Sequence, residues 1–157
     1  MPTLFLICGL PGSGKTTLAR QLEKSQPALR LCPDEWIGSI LADAGDLTEL
    51  DRLRTPVESL QWDLAKRALL LGVDVILENG FWSREERGSY RSQAEALGAQ
   101  VELRYLDVSR GELWKRLSQR NENLPPGTFA VTKEQLDLWL SWFETPGPDE
   151  LEQGLEE

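Results

Sequence analysis

The chain has 157 residues, a mass of 17.7 kDa and a net charge of −9, and 40% of its residues are hydrophobic. This composition predicts one globular domain, 1–157, and excludes a disordered chain. No apolar run approaches the roughly 20 residues of a membrane-spanning helix, and the start lacks the basic flank of a signal peptide, so we expect a cytoplasmic protein without membrane contact. The absence of histidine excludes Ser-His and Cys-His catalysis. The two cysteines have no zinc or disulfide spacing.

The negative charge is concentrated near the carboxyl terminus. Residues 131–157 carry a net charge of −7, which leaves the rest of the chain nearly neutral. The overall acidity therefore disfavours a nucleic-acid partner only weakly. We expect an acidic tail from about Pro146, and we expect it to fray.

Short apolar runs alternate with segments of helical period. Three Ser/Thr-x-x-Glu/Gln capping boxes predict helix starts at Ser83, Ser109 and Thr132. A fourth box at Thr55, with Pro56 in the first helical position, predicts a helix that starts there and ends at Gly72. The alternation predicts an α/β fold whose parallel sheet is covered on both faces. The predicted strands are Thr3–Cys8, Ala28–Cys32, Val73–Leu77 and Val101–Leu106.

A glycine-rich loop follows the first predicted strand. The segment Gly9–Thr16 fits the pattern G-x-x-x-x-G-K-[ST] and precedes a helix, which is the context of a phosphate-binding loop. The loop amides and the helix amino terminus would wrap a phosphate, Lys15 would reach the β- and γ-phosphates, and Thr16 would bind Mg²⁺. The sequence therefore predicts a site for ATP and Mg²⁺. The predicted nucleotide-binding residues of the loop are Gly9, Pro11, Gly12, Ser13, Gly14, Lys15, Thr16 and Thr17.

Asp34 follows the second predicted strand. Ligands of open parallel sheets bind beyond the carboxyl ends of the strands, which would place Asp34 near the γ-phosphate. A carboxylate there can orient an acceptor hydroxyl and take its proton. The alternative is that Asp34 only caps the following helix.

A basic segment, Arg110–Arg120, precedes a proline-containing stretch. Arg116 and Arg120 are four residues apart and share a helix face, and a lid is predicted around 116–130. Arginines in such a lid would bind the nucleotide and stabilise the charge on the transferred phosphoryl group. The alternative is a solvated helix face.

Four blocks carry a family resemblance: GLPGSGKTTLARQL (9–22), CPDEW (32–36), VILENGFWSREER (75–87) and LDVSRGELWKRLSQRN (106–121). They resemble the small P-loop kinases grouped with phage-type polynucleotide 5′-kinases, with chloramphenicol phosphotransferases and zeta toxins as more distant relatives. The resemblance implies a three-layer, nucleoside-kinase-like P-loop sandwich with a four- or five-stranded parallel sheet, in an order like 2-3-1-4. The resemblance also implies that Asp34 is the base that activates the hydroxyl, that Lys15 binds phosphate and that Thr16 binds Mg²⁺. It further implies that the lid arginine is Arg120, with Arg116 as the second choice.

Two positions depart from that family. Polynucleotide kinases have an arginine three residues after the base aspartate, where this chain has Ile37, and an aspartate where it has Glu78. The missing arginine weakens the case for a nucleic-acid acceptor. Glu78 could support Mg²⁺ through water, or bind a substrate hydroxyl or amine.

Several side chains are candidates for contact with the acceptor. Arg84, Arg87 and Arg91 share a helix face and suit either an anionic acceptor or a self-neutralised surface with the intervening glutamates. Trp36 and Trp82 could stack on an acceptor. A run of acids between the second strand and the next helix would suit a cationic acceptor, or be a solvated loop; it comprises Asp43, Asp46, Glu49 and Asp51.

Three functional hypotheses remain open. The first is a kinase that transfers the γ-phosphoryl group of ATP to a hydroxyl of a small molecule. The second is the same chemistry on a polynucleotide 5′-hydroxyl. The third is a module that binds and hydrolyses ATP without transfer to a small molecule.

Overall fold

The structure is a computed structural model that describes residues 1–41, 47–124 and 130–152. Its strands are β1 (Thr3–Cys8), β2 (Ala28–Leu31), β3 (Asp74–Gly80) and β4 (Gln100–Tyr105). Its helices are α1 (Lys15–Ser25), α2 (Pro33–Ile40), α3 (Leu47–Leu70), α4 (Arg84–Ala96), α5 (Arg110–Glu122), α6 (Lys133–Trp142) and α7 (Pro148–Glu152). Within these described ranges, no helix has the length and apolar character needed to cross a bilayer.

The four strands form one parallel sheet in the order β2-β3-β1-β4. The predicted fold class and strand order are therefore confirmed. The central strand pairs on both sides, with Leu4 opposite Val75 of β3 and Val101 of β4. Strands covered on both faces have continuous apolar sequences, and for this reason the run Thr3–Cys8 could be recognised as a strand from the sequence.

Alternate residues of β1 face opposite layers of helices. Leu4 and Leu6 pack in a cluster with Trp62 and Leu69 of α3 and Ala94 of α4. Phe5 and Ile7 pack in a second cluster with Ala19 and Leu22 of α1. Helices thus cover both faces of the sheet, as expected of a three-layer sandwich.

Three of the four predicted helix starts are confirmed. The side chains of Ser83, Ser109 and Thr132 each accept a hydrogen bond from the backbone N–H three residues later, and Thr132 with Gln135 forms a complete capping box. These boxes were predictable because all of their partners lie within one turn of the chain.

The predicted start at Thr55 is wrong, because α3 runs through it and contains Pro56. The proline ring leaves the carbonyl of Arg52 without its helical N–H partner. Leu50 and Val57, on either side of this position, both pack in a cluster with Ile37 of α2. This apolar contact supports the helix on both sides of the proline.

The expectation that the chain frays from about Pro146 is wrong for residues 146–152, which include α7. Arg87 is buried and donates from Nε to Glu150 Oε1 (2.7 Å) and from Nη1 to the carbonyl of Phe81 (2.8 Å). Burial raises the pKa of Glu150, but the hydrogen bonds from Arg87 and the Gly147 N–H more than offset it, and the pKa lies below its usual value. The last acids of the tail, 153–157, lie outside the described residues, as do 125–129 of the predicted lid and the acids Asp43 and Asp46.

Candidate active site

The phosphate-binding loop connects β1 to α1. Gly12 and Gly14 have φ angles of 85° and 99°, in the left-handed region that favours glycine. Gly14 is the N-cap of α1 and provides no side-chain cap, so the first N–H groups of this helix are available to an anion. Ser13 is buried, and in the described part of the chain its hydroxyl has no hydrogen-bond partner. The loop thus has the conformation and the donors that a phosphate requires.

Lys15 lies across this loop. Its Nζ donates to the carbonyls of Gly9 and Leu10, both at 3.2 Å. Burial lowers the pKa of Lys15, and the charges of Asp34 and Glu78 partly offset that effect. The ammonium group therefore lies in the field of two carboxylates, one from the start of α2 and one from β3.

Thr16 contacts the end of β3. Its hydroxyl donates to Glu78 Oε1 at 2.8 Å, and Glu78 Oε2 lies 2.6 Å from Nε of Arg30 on β2. Burial raises the pKa of Glu78, while the Thr16 hydrogen bond and the Arg30 charge oppose the rise. Because the Thr16 proton points to Glu78, the lone pairs of its oxygen are directed elsewhere. This donor set fits Mg²⁺, a hard cation that prefers oxygen ligands.

A second group of ligand atoms lies beside Thr16. One atom each of Cys32, Glu35 and Glu78 lie within 4.8 Å of one another. Arg30 pairs with both carboxylates, and burial raises the pKa of Cys32 to about 12, so the thiol stays protonated. The guanidinium of Arg30 already supplies the positive charge that these acids attract.

Asp34 is the second residue of α2, and its N-cap is Cys32, so the structure does not support the capping alternative for Asp34. The Asp34 side chain is exposed, and its Oδ1 lies 3.1 Å from Nη2 of Arg54 on α3. Its charge raises the pKa of both Lys15 and Arg120 against the effect of burial. The structure therefore brings Asp34, Lys15 and Arg120 into one electrostatic site.

Arg54 was not predicted from the sequence. The predicted helix start at Thr55 left Arg54 outside the helix, and the family pattern pointed instead to Ile37. Ile37 is buried in the core, whereas Arg54 reaches Asp34 from the neighbouring helix. Only the packing of α3 on α2 makes this contact visible.

The two predicted lid arginines occupy different positions. Arg116 donates from Nη1 to the carbonyls of Gly12 and Ser13, both at 3.3 Å, and its Nε lies 3.1 Å from Glu112 Oε1. Arg120 is partly buried, and burial lowers its pKa while Asp34 raises it. Arg116 thus contacts the phosphate loop itself, whereas Arg120 interacts electrostatically with Asp34.

Several candidates for acceptor contact have other partners. Arg84, Arg87 and Arg91 all contact the carboxyl-terminal helix α7, so the hypothesis that they form an anion-binding face is wrong. The hypothesis that Glu85 and Glu86 neutralise them is also wrong, because Arg84 pairs with Asp149 and Arg87 with Glu150. Trp82 donates from Nε1 to the Gly9 carbonyl at 3.2 Å, and Trp36 packs against two core clusters. Both tryptophans therefore support the walls of the site.

A cavity of about 220 Å³ opens beside the phosphate loop at the carboxyl end of β4. Its lining comes from the loop, the β4 end, α5 and the segment before α7, and includes Leu10, Ser13, Asp107, Val108 and Phe143. Most of the lining residues are apolar, and Asp107 and Thr145 are among the polar ones. This cavity lies across the sheet from Asp34, because β4 and β2 are the two edge strands.

Comparison with known proteins places this geometry in a family. A family model described as an AAA domain matches residues 4–146, so the chain belongs to that family. The gluconokinase of Gluconobacter oxydans (strain 621H) is 27% identical over 154 residues, which cover 95% of this chain and 79% of that protein.

Two solved structures share the fold. A gluconokinase from Sinorhizobium meliloti 1021 has a TM-score of 0.62 at 16% identity, over 96% of this chain and 79% of that chain. A chain of the Pnkp1/Rnl/Hen1 RNA repair complex has a TM-score of 0.70 at 20% identity, over 90% of this chain and 43% of that chain. The resemblance to the small P-loop kinase group is thereby confirmed.

Proposed function

We propose that the protein transfers the γ-phosphoryl group of ATP, in the presence of Mg²⁺, to a hydroxyl group of a small molecule. The observation that carries this proposal is the position of Asp34. Asp34 follows β2 and the phosphate loop follows β1, so both lie at the carboxyl ends of the parallel strands. The charge of Asp34 acts on both Lys15 and Arg120. A module that only hydrolyses ATP has no need of a carboxylate that is accessible to an acceptor and oriented by Arg54.

The proposed reaction assigns one task to each group. The acceptor oxygen bonds to the γ-phosphorus, the bond from that phosphorus to the bridging oxygen breaks, and ADP leaves with the electron pair. Asp34 takes the hydroxyl proton. The loop amides and Lys15 hold the phosphates, and Arg120, with Arg116, binds the charge on the transferred group. Thr16, backed by Glu78, would hold Mg²⁺, which when bound neutralises phosphate charge.

The comparisons support this chemistry at the level of its class. The relative of known activity is a gluconokinase, which phosphorylates an alcohol group of a small molecule. The cavity beside Ser13 is our proposed place for the nucleotide base, because it adjoins the loop and is lined mainly by apolar groups.

A polynucleotide 5′-hydroxyl kinase is the second candidate. The likeness to a chain of an RNA repair complex favours it, and so does Arg54, which supplies next to Asp34 the guanidinium that Ile37 cannot. Among the residues that the structure describes, no basic stripe lies on the acceptor side, where Glu58 and Glu86 add negative charge, and this counts against a polyanion.

A transfer assay with γ-labelled ATP distinguishes these candidates. The acceptors would be sugars, amino sugars, sugar acids, nucleosides and 5′-hydroxyl oligonucleotides, each with Mg²⁺ and each with wild-type protein and Lys15→Ala. We expect label to move to one class of small molecule, and no transfer by Lys15→Ala, which lacks the cation at the phosphates. Transfer to oligonucleotides alone would establish the second candidate. Label found only in inorganic phosphate would leave the hydrolysing module.

A further inference from the structure

A group of polar side chains comes from α3, α4 and the carboxyl end of β3. This acceptor cluster consists of Glu58, Gln61, Asn79, Glu86 and Tyr90. Asn79 Nδ2 donates to the Tyr90 hydroxyl at 3.3 Å, and the Tyr90 ring packs against Trp62, the neighbour of Gln61, at a centroid distance of 4.5 Å. The charges of Glu58 and Glu86 both act on Tyr90 and raise its pKa to about 12, after the larger effect of burial.

The cluster adjoins the proposed catalytic carboxylate. Arg54, Glu58 and Gln61 follow one another on one face of α3, at spacings of four and three residues. Arg54 pairs with Asp34, and the charges of Arg54 and Asp34 both act on Glu58. Arg54 therefore links Asp34 to the side of the cluster that Glu58 forms.

Gln61 is the strongest indication that this cluster binds a ligand. It is 1% exposed, and neither its Nε2 nor its Oε1 has a hydrogen-bond partner in the described chain. It lies in the buried stripe of α3 between Val57, which packs with Ile37, and Ala65, which packs with the sheet. A buried amide without partners is costly in a folded protein. Asn79 Oδ1 is a further buried acceptor without a partner.

The two carboxylates of the cluster lack a cation of their own. Among the described residues, no basic side chain lies within the 4 Å of an ion pair from Glu58 or Glu86. Burial, and then the charge of Glu86, raises the pKa of Glu58 to about 7, while Arg54 opposes the rise. Burial raises the pKa of Glu86, and Arg87 opposes it, but the Arg87 guanidinium is bound to Glu150 and Phe81.

We infer that the acceptor is a polyhydroxy amine, such as an amino sugar, whose ammonium group lies between Glu58 and Glu86 and whose hydroxyls bond Gln61 and Asn79. This inference rests on the proposed kinase function and names its substrate class. The cluster is rich in hydrogen-bond acceptors, and ammonium and hydroxyl groups are donors. A sugar acid brings a carboxylate, which only accepts, into a space that already holds two carboxylates. The protein would therefore differ in substrate from the gluconokinases that it resembles.

Three acceptors with one carbon skeleton test the charge preference: glucosamine, glucose and gluconate. Steady-state phosphorylation is measured for each with wild type, Glu58→Gln, Glu86→Gln and the control Asp63→Asn. Asp63 is exposed on α3, and its ion-pair partner within the described ranges is Lys66. We expect kcat/KM for glucosamine to exceed that for gluconate by at least tenfold in wild type and Asp63→Asn. In each glutamine variant, the ratio of kcat/KM for glucosamine to kcat/KM for gluconate should fall at least fivefold, because the KM for glucosamine rises.

Gln61→Leu separates a binding role from a structural one. Leucine removes two unpartnered polar groups from a buried position, so the melting temperature should rise or stay unchanged. The KM for glucosamine should nevertheless increase at least tenfold, with little change in the KM for ATP. A purely structural Gln61 would leave the glucosamine KM unchanged.

The outcomes separate this inference from the proposed function. Transfer to gluconate as efficient as transfer to glucosamine, or a preference that the glutamine variants do not alter, overturns the inference and leaves the kinase intact. Transfer to sugars or acids but to no amine, across glucosamine, galactosamine and aminoglycosides, also overturns it. Hydrolysis without transfer to any of these compounds overturns the proposed function itself.

Discussion

Asp34→Asn is expected to lower kcat by about 10²–10⁴-fold, the range that a general base contributes. Asparagine keeps the shape of the side chain and can still accept a hydrogen bond from Arg54, but it cannot take the hydroxyl proton. Asp34 is exposed and makes no contact within the core, so the fold should be unaffected. Steady-state kinetics with the acceptor found in the transfer assay, together with calorimetric titration of ATP, would measure both parts of this prediction.

Asp137→Asn is the matched control, because Asp137 is also exposed and paired with an arginine, Arg110, and the proposed reaction assigns no role to either residue. It should retain the wild-type kcat. If Asp34→Asn turned over at the wild-type rate, Asp34 would have no part in proton transfer. If it lost ATP binding in proportion to kcat, Asp34 would be a binding residue.

Arg87→Met is expected to cause the largest loss of stability, about 3–5 kcal/mol of the free energy of unfolding. Arg87 is 2% exposed, and its removal takes a charged donor from the Glu150 carboxylate and a donor from the Phe81 carbonyl, which leaves a partly buried acid without its guanidinium partner. Each kcal/mol corresponds to roughly 2–4 °C in a domain of this size. Urea unfolding and calorimetry of wild type and variant would give the difference.

Arg84→Gln is the control for that prediction. Arg84 pairs with the same helix through Asp149, but both side chains are more than half exposed, so the loss should be about 0–1 kcal/mol. Equal losses for the two variants would contradict the assignment of Arg87 and Glu150 as the contact that holds α7.

Features with local causes were predictable from the sequence. The phosphate loop, the strand β1 and the caps at Ser83, Ser109 and Thr132 depend on neighbours within a few residues. The strand order followed from the resemblance, because the family motifs fix which strand carries which group. Lys15 and Thr16 were predicted from the loop motif, and Asp34 from its place after the second strand, with the same roles implied by the resemblance.

Contacts between distant residues were not predictable in this way. The partner of Asp34 is 20 positions away in sequence, and that of Arg87 is 63 positions away. The acidic composition of the last residues suggested a solvated tail, because a sequence does not show that Glu150 faces a buried guanidinium. Pro56 likewise indicated a helix start, until the packing of Leu50 and Val57 on Ile37 showed that α3 continues through it.

The proposed reaction moves a phosphoryl group to an alcohol, with Asp34 as the base. The most direct measurement is the fate of the γ-phosphorus, followed by phosphorus NMR in a reaction of wild-type protein with ATP, Mg²⁺ and saturating acceptor. We expect one phosphate monoester for each ADP formed, with inorganic phosphate as a minor product, and loss of the monoester in Asp34→Asn. Inorganic phosphate as the sole product, formed at the same rate with and without acceptor and in both proteins, would contradict it.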